Sequence, residues 1–222
     1  MIRLAVTLAV CAALAGCAAP EGRLPRGIRP IANPSAVVAT ELAFAEAAQT
    51  KGQCTAFREY AADDAVMFVP QLVTAKDWLK KQTDPTAAVQ WEPYAVWMSC
   101  DGSLAVTKGE WHRANGKVGY FTTAWRRQKN GTYRWELDQG DGLAEPLAKP
   151  EMIAGQVADC SAAPGATVAA PPAGVDQRTG WSADKTLQWI VQVKPDGSRD
   201  FRVHRWTGHG YEEVLKSNVA AG

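Results

Sequence analysis

The spacing of apolar residues changes along the chain, and each change marks a different kind of element. Val38, Leu42, Ala45 and Ala48 recur at three- and four-residue steps, which predicts a helix opening at Ser35, a residue suited to cap it. Gly52 interrupts the pattern, and Cys54, Phe57, Tyr60 and Ala61 continue it as a second short helix. The apolar run Ala65-Val66-Met67-Phe68-Val69 reads as a buried strand ended by Pro70. Residues 75–82 read as a third short helix with Trp78 and Leu79 facing inward. Beyond Pro85 the pattern is strand-like. Residues 89–99, 104–113, 118–128 and 133–139 are separated by Asp101-Gly102, Asn115-Gly116 and Asn130-Gly131, dipeptides that favour two-residue type I′ turns. An antiparallel meander is predicted.

Two-residue turns would fix the register and so sort the side chains into two faces. One face collects Tyr94, Val96, Met98, Ala105, Thr107, Gly109, Trp111, Tyr120, Thr122, Ala124, Trp135, Leu137 and Gln139. The other collects Trp91, Trp97, Leu104, Val106, Lys108, Glu110, His112, Phe121, Thr123, Trp125, Arg127, Arg134, Glu136 and Asp138. The first face suits helices packed over a partial cavity. Pro93 is the expected place for a bulge that would swap part of this assignment. Residues 144–186 carry weaker signals, with a loop over 164–174. Strand patterns return at 187–193, 201–206 and 211–215. Three strands bury too little surface to stand alone, so they are expected on the second face or at an edge of the main sheet.

Charge and cysteines narrow the class. The chain has 24 Lys and Arg against 23 Asp and Glu, and this near-zero balance argues against nucleic acid as a partner. An apolar run from Leu4 to Leu14 follows Arg3 and is shorter than the roughly 18 residues that a spanning helix needs. Leu14-Ala15-Gly16-Cys17 then resembles the signal of bacterial lipoproteins, which implies cleavage after Gly16 and lipid attachment at Cys17. Ala18, which is not an aspartate, favours the outer membrane if the cell has one. The segment 17–34, with Pro20, Pro25, Pro30 and Pro34, would be an extended tether facing the periplasm. Of five cysteines, Cys54, Cys100 and Cys160 remain in an oxidising compartment and allow three pairings. Cys54 falls within a helical pattern beside Phe57, which favours Cys100 with Cys160; three reduced thiols are the alternative.

The element order resembles the nuclear transport factor 2-like superfamily, in its SnoaL-like branch. The residues that carry the likeness are Asp63-Asp64-Ala65-Val66, Ala105-Val106-Thr107-Lys108-Gly109, Gly119-Tyr120-Phe121-Thr122-Thr123-Ala124-Trp125-Arg126-Arg127, Asn130-Gly131 and Trp135-Glu136-Leu137-Asp138-Gln139-Gly140. The resemblance implies an α+β fold, a cone of three helices and a curved antiparallel sheet, spanning 35–143. A loop-rich segment over 144–186 and a β-rich C-terminal extension over 187–222 would follow. It also implies a pocket in the cone. On the register above, that pocket is lined by Tyr94, Thr107, Trp111, Tyr120, Thr122 and Gln139, with Glu92 near the rim.

Candidate chemistry is sparse. Glu92 with Tyr94 or Tyr120 would supply the carboxylate and phenol of an isomerase or dehydratase. Asp63-Asp64 sits where a turn is the simpler explanation, and Asp138 and Asp141 are too few ligands for a metal site. His112, His204 and His209 show no ligand spacing, and neither a nucleophile elbow nor a phosphate loop occurs. No metal or cofactor is expected. Among nine tryptophans, Trp189 and Trp206 are the ones expected to mark a partner surface if exposed. The sequence therefore favours a lipid-anchored protein that binds a small molecule or an envelope partner, without assigned catalytic residues. An isomerase-like enzyme and a homodimer formed through the tryptophan-bearing sheet face are the alternatives.

Overall fold

A computed structural model describes residues 32–165 and 175–221. The leader, Cys17 and most of the tether lie outside the described residues, as do residues 166–174. Within them, α1 (Pro34–Lys51) and α2 (Gln53–Tyr60) lead into β1 (Ala61–Phe68), β2 (Leu72–Thr74) and α3 (Ala75–Leu79). The meander follows as β3 (Gln90–Met98), β4 (Leu104–His112), β5 (Val118–Arg127) and β6 (Tyr133–Leu143). The remainder is β7 (Ala154–Val157), β8 (Asp176–Trp181), β9 (Leu187–Val193), β10 (Arg199–Trp206) and β11 (Tyr211–Val219). The α+β class expected from the sequence is the class observed. Among the described residues no helix is long and apolar enough to cross a membrane.

Two sheets form. The larger runs β2-β1-β6-β5-β4-β3-β7 and is antiparallel except where β1 meets β6 and β3 meets β7; the smaller runs β11-β10-β9-β8. The helices pack on one face of the large sheet around Val37, Phe44, Ala48, Leu79, Trp125 and Trp135. The small sheet covers the opposite face. Trp97, Leu104, Val106 and Leu137 pack there against Leu187, Trp189, Val191 and Phe201. Strands β7 and β8 lie in the stretch that reads as loop. All four residues of β7 are exposed, so burial leaves no alternation to detect there.

Helix α1 turns a different stripe inward from the one its spacing suggests. Val37, Glu41, Phe44, Ala47 and Ala48 are buried, whereas Leu42 is 46% exposed. Apolar residues lie on both sides of this helix, so periodicity alone does not choose a face. Asn33, not Ser35, caps it, accepting from the Ala36 amide with Pro34 as the first helical residue.

Cys100, in the β3–β4 turn, is disulfide-bonded to Cys160, which follows β7. The same turn clasps the one between β8 and β9. In Ser99-Cys100-Asp101-Gly102-Ser103-Leu104 the Asp101 carboxylate accepts from Ser99 Oγ and Ser103 N; in Ser182-Ala183-Asp184-Lys185-Thr186-Leu187 Asp184 accepts from Ser182 Oγ and Thr186 N. Each aspartate also accepts the other's amide, at 2.8 and 3.0 Å. Two copies of one turn thus hold the sheets together at this end.

Candidate functional site

Turn length decides which side chains face the helices. The β3–β4 connection closes with Ser99 N donating to Leu104 O, an even four-residue loop, and Met98 lies opposite Ala105 as a two-residue turn would also place it. At Asn115-Gly116 the chain instead makes a three-residue loop. Arg113 N donates to Lys117 O, Gly116 adopts φ +81°, and His112 lies opposite Val118. A left-handed glycine closing an odd loop is a G1-bulge turn, and it moves the register by one residue. Strand β5 is therefore inverted relative to expectation. Phe121, Thr123 and Trp125 share the helix side with Trp111, Thr107 and Ala105, while Tyr120 and Thr122 face the second sheet. Asn130-Gly131 makes another three-residue loop, with Gly131 at φ +86°. A bulge at Glu136 then places Trp135 and Asp138 on the helix side.

The result is a cavity of about 420 Å³ between the helices and the large sheet. Its walls are aromatic, from Phe44, Phe57, Trp78, Trp91, Trp111 and Phe121. Polarity is concentrated at Thr123, Asp138 and the strand segment 139–142, with Arg113 also on the lining. Gly140 keeps this floor low, since a Cβ there would lie 2.1 Å from Tyr120 O.

Two acids stand under the aromatic wall. Glu41 is fully buried. Its Oε1 accepts from Trp91 Nε1 at 2.8 Å, and its Oε2 accepts from Thr107 Oγ1 at 2.6 Å and Trp125 Nε1 at 2.9 Å. Burial raises its pKa, and these three donors oppose the rise. Asp138 reaches the cavity. Its Oδ2 accepts from Thr123 Oγ1 at 2.9 Å, and burial, reinforced by the charge of Glu41, pushes its pKa up to about 7 against that hydrogen bond. Thr107 and Thr123 are opposite one another on β4 and β5, so one cross-strand pair of threonines supports both acids. A carboxyl that titrates near neutrality inside an apolar cavity can hold or release a proton at a bound ligand.

Of the pocket residues expected from the sequence, Trp111 lines the cavity and donates its indole N–H to Tyr120 O. Thr107 lies behind the wall on Glu41. Strand segment 139–142 lines the floor, but the Gln139 side chain turns to the second sheet and donates to Ser217 Oγ. Tyr94 is the extra residue of a bulge at Pro93, and its hydroxyl donates to Glu110 on the face away from the helices. Glu92 is 41% exposed and paired with Lys149 at 2.7 Å. Tyr120 and Thr122 are buried with hydroxyls that find no partner among the described residues. The carboxylate–phenol combination of Glu92 with Tyr94 or Tyr120 is thus not assembled in the cavity.

Asp138 and Asp141 both lie on the cavity lining; Asp141 Oδ1 accepts from Gly142 N, and among the described residues no three His, Cys, Asp or Glu side chains group together. Trp189 and Trp206 are each 5% exposed and form no surface patch; Trp189 donates to Glu136 and Trp206 to Ala162 O. Trp97 lies under the small sheet, so the chain itself covers that face.

Sequence reading passed over Glu41 and left Asp138 on the wrong face. The signal for Glu41 was an acid in line with Val37, Phe44 and Ala48 at helical spacing. For Asp138 it was the parity of the two Asn-Gly loops, which the dipeptide leaves ambiguous, together with the bulge at Glu136, which no residue type announces.

No protein-family model and no curated relative matches the chain. Among solved structures it is similar to a "putative ketosteroid isomerase" from Parabacteroides distasonis, with 14% identity, a TM-score of 0.40, and 52% of this chain and 97% of that one covered. It is also similar to a protein of unknown function with a cystatin-like fold from Methylobium petroleophilum, with 13% identity, a TM-score of 0.37, and 54% and 83% covered.

Proposed function

We propose that this chain is an exported, lipid-anchored protein that takes up a small apolar molecule in the cavity under its helices. The observation that carries the reading is the cavity itself, aromatic on its walls, with polar side chains at Thr123, Asp138 and Asp141 and at Gln53 and Arg113. That is the composition of a small-molecule site, where apolar area gives affinity and a few polar groups give orientation. Export and anchoring rest on the leader and on Cys17; the Cys100–Cys160 bridge is compatible with an oxidising compartment. Membership of the SnoaL-like branch of the nuclear transport factor 2-like superfamily is proposed on the motifs and element order given above.

A second reading is favoured by Asp138: proton transfer at the bound molecule, in the manner of an isomerase or dehydratase, with Asp138 rather than Glu92 as the base. A carboxylate held near neutrality is matched to that task.

The test is native mass spectrometry of the chain exported to a bacterial periplasm, beside Gly142→Leu. A Cβ at Gly142 meets only Val118 O at 4.0 Å, so a side chain begins there without a backbone clash, on the lining of the cavity. A stoichiometric adduct present in the native chain and absent from the variant supports ligand binding. A bare chain in both overturns it.

A further inference from the structure

The cavity does not end at its mouth. A neighbouring groove of about 400 Å³ runs past Thr83, Pro85, Ala87 and Asn115, and the two spaces share Gln53, Cys54, Val89 and Arg113. Those four residues form a neck. Three of the neck side chains are already engaged or apolar: Gln53 Oε1 accepts from Val89 N, Cys54 Sγ donates to Thr83 O, and Val89 carries no polar side-chain group. Arg113 is different. Its guanidinium stacks over the Trp111 ring at 5.2 Å from the centroid, and no carboxylate lies within ion-pair distance of it among the described residues. Asp84, which lies between the groove residues Thr83 and Pro85 in sequence, is held by Thr55, at 2.9 Å from its amide and 2.6 Å from its hydroxyl. The neck therefore presents an exposed cation, held over an indole and without a carboxylate partner among the described residues, between the aromatic cavity and the groove.

We propose that the ligand is an amphiphilic anion: an apolar body fills the cavity, its carboxylate or comparable anionic group meets Arg113 at the neck, and any further substituent lies in the groove. The inference rests on the ligand-binding reading above and adds the chemistry of the ligand to it. A planar guanidinium fixed on an indole recognises such a group by charge-assisted hydrogen bonds, and these give orientation as well as affinity.

Two fluorescent probes that share one ring system separate the claims: neutral N-phenylnaphthylamine and its anionic counterpart, anilinonaphthalene sulfonate. Both are titrated into the full chain, into Arg113→Gln and into Gly142→Leu. The expected result is that both probes bind, that the sulfonate binds about tenfold more tightly, and that Arg113→Gln removes this advantage, so that the two probes bind about equally. Gly142→Leu should abolish binding of both. If Arg113→Gln leaves sulfonate binding unchanged while both probes still depend on Gly142, the anion inference is overturned and the cavity reading stands. If neither probe binds, or if Gly142→Leu leaves both bound, the cavity reading falls and the anion inference with it.

Discussion

Asp138 sets the pH behaviour of the site. Its carboxyl is raised from the usual 3.8 to about 7, chiefly by burial, so the folded chain holds this proton more tightly than the unfolded chain does. Between those two values the folded state binds more protons, so this group's contribution to stability is full below about pH 4 and is lost as pH rises through about 7. Asp138→Asn should flatten that decline and raise the melting temperature at pH 8 by roughly 2–6 °C. Thermal melts across pH 4–8 check it, and a variant that declines as steeply as the native chain would refute it. Glu41 makes a complementary case. Glutamine at position 41 can accept from Trp91 and donate to Thr107 Oγ1, which in turn donates to Thr123 O at 3.3 Å. Glu41→Gln should therefore cost no more than about 1 kcal/mol, whereas Glu41→Leu leaves the Trp91 indole N–H without an acceptor, Trp125 keeping Thr107 Oγ1 at 3.1 Å, and should cost about 2 kcal/mol. Denaturant titration of the two variants distinguishes them. Neither acid's role was legible in the sequence, because one sits in a helix apolar on both sides and the other depends on a register set two turns earlier.

At the scale of elements, the number and order of strands in the meander were legible, and so was the register across Asp101-Gly102, although the chain makes a four-residue loop there in place of the expected two-residue turn. The faces of β5 and the end of β6 were not, because Asn-Gly serves both a two-residue type I′ turn and the left-handed end of a three-residue loop. One residue of difference exchanged Tyr120 and Thr122 for Phe121 and Thr123 in the cavity wall. The paired turns at Ser99 and Ser182 yield a sharper prediction. Gly102 and Lys185 occupy equivalent positions, both at φ +66°, and only the second carries a side chain that this backbone disfavours. Lys185→Gly should stabilise the chain by about 1 kcal/mol, reduced by the loss of the lysine's stacking on Trp181 at 5.4 Å. Chemical denaturation measures this; a destabilised variant would mean that the stacking outweighs the backbone strain.

At the scale of the molecule, the two cores lie on opposite faces of one sheet and serve different ends. Helices and large sheet enclose the cavity; large and small sheet enclose an apolar layer that contains Trp97, Leu104 and Val106, residues expected together on the second face. The Cys100–Cys160 bridge belongs to the second of these. It joins residues 60 apart, beside the clasped turns and beside Asp159, whose amide donates to Trp206 O in the small sheet. Closing a loop of that length restricts the unfolded chain by about 4 kcal/mol on the chain-entropy account. No residue of the bridge or of the clasped turns lines the cavity. Reduction, or Cys100→Ser with Cys160→Ser, should therefore lower the denaturation midpoint markedly while leaving neutral-probe affinity unchanged at temperatures where the chain stays folded. A loss of affinity in parallel with the loss of stability would show that the sheet-to-sheet layer shapes the cavity across the shared strands, and the two cores would then have to be treated as one cooperative unit.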